Sequence, residues 1–282
     1  MSLLPPDVSV LVRGWLDGNV VLLRGPAPVL VDTGYHTGVA ELLAWLCDVG
    51  GISPADLAAI VLTHVHSDHA GGVAALQAAA GGGLPVLAHP DARALTDPWD
   101  PLRLWLTGTG QELPLFSTTA DLVVGGTLHL AGSGWRVLDT PGHATGGVSL
   151  LRESDRLLIS GDALWERGFG MLNTWVDGPG VFDRAEQALD TIEAAAPRVV
   201  IPGHGPPFSD VAGALATARA RLASLRSDPD RNLRQALRAG IAFSRLAHPD
   251  WSVDEHLAQA DALASTWGFD PALARAAFAA GL

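Results

Sequence analysis

Apolar residues in the first third of the chain fall in short alternating runs closed by Gly or Pro. "VSVLVRG" (8–14), "NVVLLRG" (19–25) and "APVLVDTG" (27–34) read as three strands of an antiparallel meander. Apolar spacing then switches to the helical period over 38–48. "DLAAIVLTH" (56–64) is a strand, "GGVAALQAAAG" (71–81) a helix closed by glycines, and "LPVLAH" (84–89) a further strand. No period holds from 97 to 119. Strands resume with "ADLVVGG", "TLHLAG", "GWRVLDT", "GGVSLLRE" and "DRLLISGD". A second irregular stretch, 165–182, leads into the helix "RAEQALDTIEAA" and a last strand, "RVVIPGHG". From Asp210 onward Ala, Arg and Leu recur at helical spacing, predicting three or four helices. The expected organisation is a strand-rich main domain over 1–209 and a helical extension over 210–282, packed on the core.

Composition narrows the function. Asp and Glu number 30 against 18 basic residues, all Arg, for a net charge of −12. With no basic run, nucleic acid is excluded as the main partner. No apolar stretch approaches the ~20 residues of a membrane helix. "MSLLPPDVSV" lacks the basic start of a signal peptide, so the expected location is the cytoplasm and the expected partner a small-molecule substrate. The single cysteine, Cys47, has no internal disulfide partner, and the helical spacing around it predicts a buried core residue.

Four strands end in side chains able to bind metal. "AIVLTHVHSDH" offers His64, His66, Asp68 and His69; "WRVLDTPGH" offers His143; "RLLISGD" offers Asp162; "RVVIPGH" offers His204. Seven nitrogen or oxygen ligands exceed one tetrahedral ion and suit two. His64 and His66 are two apart, so both point to one side of an extended segment, while Asp68 and His69 on the following turn can face a second position. Imidazole and carboxylate without thiolate suit Zn(II), with Fe(II) or Mn(II) also compatible. His89, His129, His248 and His256 lack this context and read as structural or solvated. His36, in "DTGYHTG", stays open.

"THVHSDHAGG", with "DTPGHATGG", "ISGDAL", "IPGHG" and the upstream "VLVDTG", resembles the metallo-β-lactamase superfamily over roughly residues 8–208. The resemblance implies an α/β fold, a four-layer αββα sandwich of two mixed β-sheets, followed here by the helical extension. It implies that His64, His66 and His143 bind one ion, that Asp68, His69 and His204 bind another, and that Asp162 bridges them. It also implies that Asp32 supports the metal loop without binding metal. Asp68 and Asp162 together resemble glyoxalase II and related hydrolases more than true β-lactamases.

Two divalent ions, Asp68, Asp162 and a bridging hydroxide leave a formal charge of about +1, which acidifies water and polarises a carbonyl. The expected activity is attack by that hydroxide on an ester-like bond, such as a thioester or lactone, with Asp68 orienting the nucleophile. Two readings compete: a mononuclear-iron oxidoreductase resembling persulfide dioxygenases, and a non-catalytic metal-binding sensor. Trp99, Trp105, Phe116, Trp165, Phe169, Met171 and Trp175, from the irregular stretches, are expected to line the substrate pocket, or else to pack their loops onto the core or bury a homodimer contact. Such an apolar lining favours acyl or aromatic substrates. Arg103 and Arg167 are the nearest candidates for an anionic group.

Overall fold

The computed structural model describes residues 3–268, 270–272, 275 and 276. It contains two sheets. The first runs β1 (Val8–Leu11), β2 (Val20–Leu23), β3 (Val29–Val31), β4 (Ala59–Val61), β5 (Val86–Ala88) and β6 (Ala120–Asp121), in that order. β1 to β3 pair antiparallel, as the alternating runs predict, and β3 to β6 pair parallel. The second sheet has the order β11 (Val199–Pro202), β10 (Leu157–Gly161), β9 (Val148–Arg152), β8 (Ser133–Asp139), β7 (Thr127–Leu130). Only the β10–β11 pair is parallel.

The two-residue side-chain period of each strand builds the layers. Val21, Leu23, Val29, Val31 and Val61 face Trp135, Val137, Leu150, Leu157, Ile159 and Ile201 in a core between the sheets. The alternate residues Leu22, Leu30 and Ile60 pack outward against α1 (Val39–Trp45), α3 (Val73–Ala79) and α4 (Pro90–Thr96) through Leu42, Val73, Leu76 and Leu95. On the other side Leu138, Leu151, Leu158 and Val200 pack against α5 (Val181–Ala195) and α6 (Val211–Ser227) through Leu189, Ile192, Leu215 and Leu222. The result is a four-layer αββα sandwich. A one-residue slip in any of these strands would exchange its inner and outer sets.

Two further helices, α7 (Pro229–Ala247) and α8 (Val253–Trp267), share a separate apolar cluster with Trp105. Met171, Trp175 and Val176 pack against that cluster. The two irregular stretches therefore seat the C-terminal helices on the sandwich. No helix among the described residues is long and apolar enough to cross a membrane.

Several local expectations change. Cys47 is exposed, not buried. The buried stripe of its helix runs through Leu42 and Leu46, four apart, and Cys47 lies one step around, where the chain has widened into a π-turn. α4 goes unread in the sequence because Pro90 opens it; Pro is suited to a first helical turn, and His89 Nδ1 caps it by accepting from Asp91 N at 3.1 Å. The expected helix over 71–81 is found as the shorter α3, and a separate single turn, α2 (Ser67–Ala70), precedes it. β6 keeps only two of the residues expected from "ADLVVGG", and Val123 and Val124 lie exposed.

Candidate metal centre

The strand ends converge. β4 is followed by the turn carrying His64 and His66 and by α2, which holds Asp68 and His69. His143 lies just beyond β8, Asp162 directly after β10 and His204 just after β11. The structure gathers these residues into two groups. His64, His66 and His143 form one; Asp68, His69, Asp162 and His204 form the other, and within each group one ligand atom per residue lies within 4.8 Å of the rest. Asp162 faces both groups. Its Oδ2 is 3.4 Å from His143 Nε2, and its Oδ1 is 3.4 Å from His69 Nε2 and 3.6 Å from His204 Nε2.

Hydrogen bonds behind the rings fix which nitrogen faces the centre. His143 Nδ1 donates to the Met171 carbonyl at 2.6 Å and His204 Nδ1 to the Gly14 carbonyl at 3.3 Å, so each turns Nε2 inward. His69 Nδ1 donates to Asp32 Oδ2 at 2.8 Å. Thr63 Oγ1 donates to the same oxygen at 2.7 Å, which leaves it able to accept from His64 Nδ1 at 3.1 Å. One buried carboxylate thus orients a histidine of each group. Asp32 reaches this position in a left-handed backbone conformation (φ 57°), which Asp tolerates better than most residues. The Nε2 atoms of His64 and His69 are buried with no hydrogen-bond partner. Buried polar atoms without partners are rare, and a metal ion would satisfy both. The donor set, the hydrogen bonds that orient it and these orphaned nitrogens fit two divalent ions.

The groups differ electrostatically. Burial, reinforced by the neighbouring imidazoles, holds His64 and His66 well below the usual histidine value, and burial lowers His143 too. Burial also opposes charge on His69 and His204, but the carboxylates of Asp162 and Asp68, with Asp32 at His69, outweigh it and raise both. Burial would raise Asp162, yet His204 and His69 hold it well below the ordinary carboxylate range, and Asp68 is lowered by His69 and His204 in the same way. The first group is neutral at pH 7; the second is a network of charged partners.

Close packing permits this density. A Cβ at Gly203 would overlap Asp162 Oδ1, and one at Gly170 would sit 2.5 Å from His143 Nδ1. Trp105 lies tilted against His66 with ring centroids 4.1 Å apart, and Trp165 Nε1 donates to Asp162 Oδ1 at 3.1 Å. The loop before β2 clasps the second group: Gly18 N donates to the Asp68 carbonyl, and Asn19 Nδ2 to the carbonyls of Pro202 and Gly205.

A sequence profile described as the metallo-beta-lactamase superfamily matches residues 13–204. The chain belongs to the metallo-β-lactamase superfamily. It is 31% identical over 218 residues to metallo-beta-lactamase domain-containing protein 1 of Xenopus laevis, a match covering 72% of this chain and 82% of that one. It is 35% identical over 156 residues to a hydroxyacylglutathione hydrolase of Cupriavidus taiwanensis, covering 52% of this chain; the match spans about half (49%) of that enzyme's length. Among solved structures, the metallo-beta-lactamase family protein TTHA1429 of Thermus thermophilus superposes with a TM-score of 0.64 at 25% identity, covering 98% of this chain and 93% of that one. TTHA1623, solved in a di-iron-bound form, gives a TM-score of 0.57 at 31% identity, covering 75% of this chain and 98% of its own. At the coarse level of reaction class, this metallo-β-lactamase superfamily member is a metal-dependent hydrolase.

The cavity over the centre, about 290 Å³, is lined in part by Trp105, Trp165 and Met171. Phe116, Phe169 and Trp175 are not on its wall. Phe116 packs with Trp99 against the helical face of the first sheet; Phe169 is buried beneath Arg221, whose guanidinium lies 4.8 Å from the ring centroid; Trp175 joins the C-terminal cluster. Their rings seat loops and helices, which an aromatic residue in an irregular stretch does as readily as it lines a pocket. Arg103 lines a different cleft and Arg167 is exposed away from the cavity; the arginines present are Arg221 and Arg238. His36 belongs to neither ligand group and lies 3.5 Å from Glu112. His256 is buried and bonds Ser244, and His248 stacks on Trp251.

Sequence reading missed Thr63, Asn19, Trp15 and Gln111. The last two line the cavity, and Gln111 accepts from Ser67 Oγ at 2.6 Å. Thr63 and Asn19 did carry a signal. Each is a lone polar residue bordering a fully apolar strand, where an unpaired side chain would be costly.

Proposed function

We propose that this protein hydrolyses an ester-like bond, a thioester, lactone or relative, in a small-molecule substrate, using two divalent ions. The observation that carries the reading is Asp162, which presents one carboxylate oxygen to each group of ligands. His64, His66 and His143 would hold one ion, Asp68, His69 and His204 the other, with Asp162 shared between them. Such ions supply Lewis-acid polarisation and lower the pKa of water toward ~7.

The chain's own residues prepare the site. Asp32 and Thr63 hold two imidazoles in the tautomer that presents Nε2, and Met171 and Gly14 do the same for His143 and His204. Asp68 lies 3.2 Å from His204 Nε2 at the cavity wall, placed to accept a proton from an attacking water and to orient it. Trp105, Trp165 and Met171 exclude solvent around the scissile bond.

Zinc suits the donor set; the di-iron form of TTHA1623 makes iron the alternative. The test is elemental analysis of the purified protein, followed by thioester, lactone, β-lactam and phosphodiester substrates offered to wild type, His66→Ala and Asp162→Ala. Thioester or lactone turnover lost in both variants supports the reading. Turnover that survives both substitutions, or oxygen uptake with a thiol persulfide and no hydrolysis, refutes it.

A further inference from the structure

The wall of the cavity facing the metal centre comes from the C-terminal helices, and it is cationic. Arg221 of α6 and Gln235 and Arg238 of α7 line the cavity together with His66, Asp68, Asp162 and His204. The same three residues also line an adjoining cleft of about 500 Å³, joined there by Arg231. The cavity therefore continues outward along a path bearing three guanidinium groups. Among the described residues, the one carboxylate lining that cleft, Asp228, caps α7.

This concentration runs against the chain as a whole. The protein carries a net charge of −12, yet residues 211–248 hold seven of its 18 arginines (219, 221, 226, 231, 234, 238 and 245) and only two acidic residues, Asp228 and Asp230. Arginines of α6 away from the cavity are neutralised: Arg219 pairs with Asp190 and Glu193, Arg226 with Asp183 and Glu186. Those on the cavity are not so paired among the described residues. Arg221 donates to the Phe169 carbonyl at 2.7 Å, and Arg231 to Ser224 Oγ at 2.7 Å. Burial and the nearby Arg231 push the Arg221 guanidinium below its usual value, outweighing the opposing pull of the Asp162 carboxylate.

We infer that the substrate carries an anionic group, a carboxylate or a phosphate, at the end remote from the bond cleaved, and that Arg221 and Arg238 bind it. This rests on the hydrolase reading above and adds a substrate class to it. The apolar surface of Ala239, Phe243 and Met171 also borders the cavity and suits a short hydrocarbon link between the two ends. Guanidinium pairs carboxylate and phosphate through two parallel N–H donors, so one wall accepts either anion.

The test uses the full, metal-loaded chain and a binding readout: quenching of tryptophan fluorescence, with Trp15 and Trp165 on the cavity wall. Short dicarboxylates and phosphonocarboxylates are titrated beside monocarboxylates of equal length. The metal-facing carboxylate is then common to each pair and only the remote end differs. A preference of about tenfold or more for the doubly anionic ligand is expected. It should collapse toward unity in Arg238→Gln and in Arg221→Gln and be partly kept in Arg238→Lys. Arg238 is exposed, so its replacement leaves the core untouched. A stronger preference for the phosphonate identifies phosphate as the group; an equal or stronger one for the dicarboxylate identifies carboxylate. Equal binding of both members of each pair in wild type, or a preference surviving both glutamine substitutions, overturns the inference. Turnover plays no part in this readout, so a protein that hydrolyses no thioester yet keeps the preference fails the hydrolase reading alone.

Discussion

Asp32 Oδ2 accepts a hydrogen bond from His69 Nδ1 at 2.8 Å, and neither side chain offers solvent more than a sliver of its surface. Because Thr63 Oγ1 donates to the same oxygen and bonds His64 in turn, a residue outside both ligand groups governs a nitrogen in each. Asp32→Ala should therefore weaken metal binding at both positions, by roughly 10–100-fold. Chelator competition reads the affinities; an unchanged pair of affinities would show the carboxylate to be purely structural.

Protons and metal compete unequally at the two groups. His69 and His204 are raised above 6.5, so in the metal-free protein their contribution to stability is fully present below that pH and is lost as pH rises through their folded values. An ion entering the second group must displace those protons, so its affinity increases with pH. His64, His66 and His143 are lowered and already neutral at pH 7, so the first ion binds there without proton release. Calorimetric titration in two buffers of different ionisation enthalpy should show proton release for one of the two binding events. Proton-neutral binding at both would refute the assignment.

Trp165 Nε1 donates to Asp162 Oδ1 at 3.1 Å, and its ring meets His204 edge-on at 5.1 Å. Trp165→Phe keeps most of the ring but loses the donor. Metal affinity should fall about tenfold, the lower end of such effects, with little change in the unfolding midpoint. Equilibrium dialysis against zinc, paired with thermal melts, separates the two.

Trp105 is buried, lies tilted against His66 and donates through Nε1 to Asp177 Oδ2 at 3.2 Å. Asp177 also accepts from Thr145 Oγ1, and burial raises its pKa. Trp105→Phe withdraws one of two side-chain donors from a half-buried carboxylate. The expected loss, read by urea denaturation at neutral pH, is about 1–3 kcal/mol. Because the folded pKa is raised, ionising Asp177 costs stability, so the loss should shrink as pH falls toward 3.8. A loss of equal size at both pH values would mean that packing alone is responsible.

The layers were legible because Val21, Leu22 and Leu23, or Leu157, Leu158 and Ile159, alternate between two cores, and a period of two leaves no ambiguity about faces. The two groups of histidine and aspartate were legible because such residues at successive strand ends have little reason to be there otherwise. The pocket was only half legible. Trp165 lines the cavity and Trp175 does not, though both are tryptophans of one irregular stretch, since loop rings follow tertiary packing rather than any local period. The cationic wall was hidden for a related reason. Arg221 and Arg238 are 17 positions apart on separate helices, and only the packing of α6 and α7 over the centre brings them to one cavity. Cys47 was misplaced by one helical step, the resolution limit of a periodic argument over a short helix.

The central claim is that Asp162 serves two ions at once. Elemental analysis of the zinc-saturated protein tests it most directly, with wild type compared to Asp162→Ala, His204→Ala and His64→Ala. The account predicts two ions per chain in wild type, one in His204→Ala and one in His64→Ala, and loss or marked weakening of both in Asp162→Ala. A single ion in wild type, retained in full by Asp162→Ala, would contradict it.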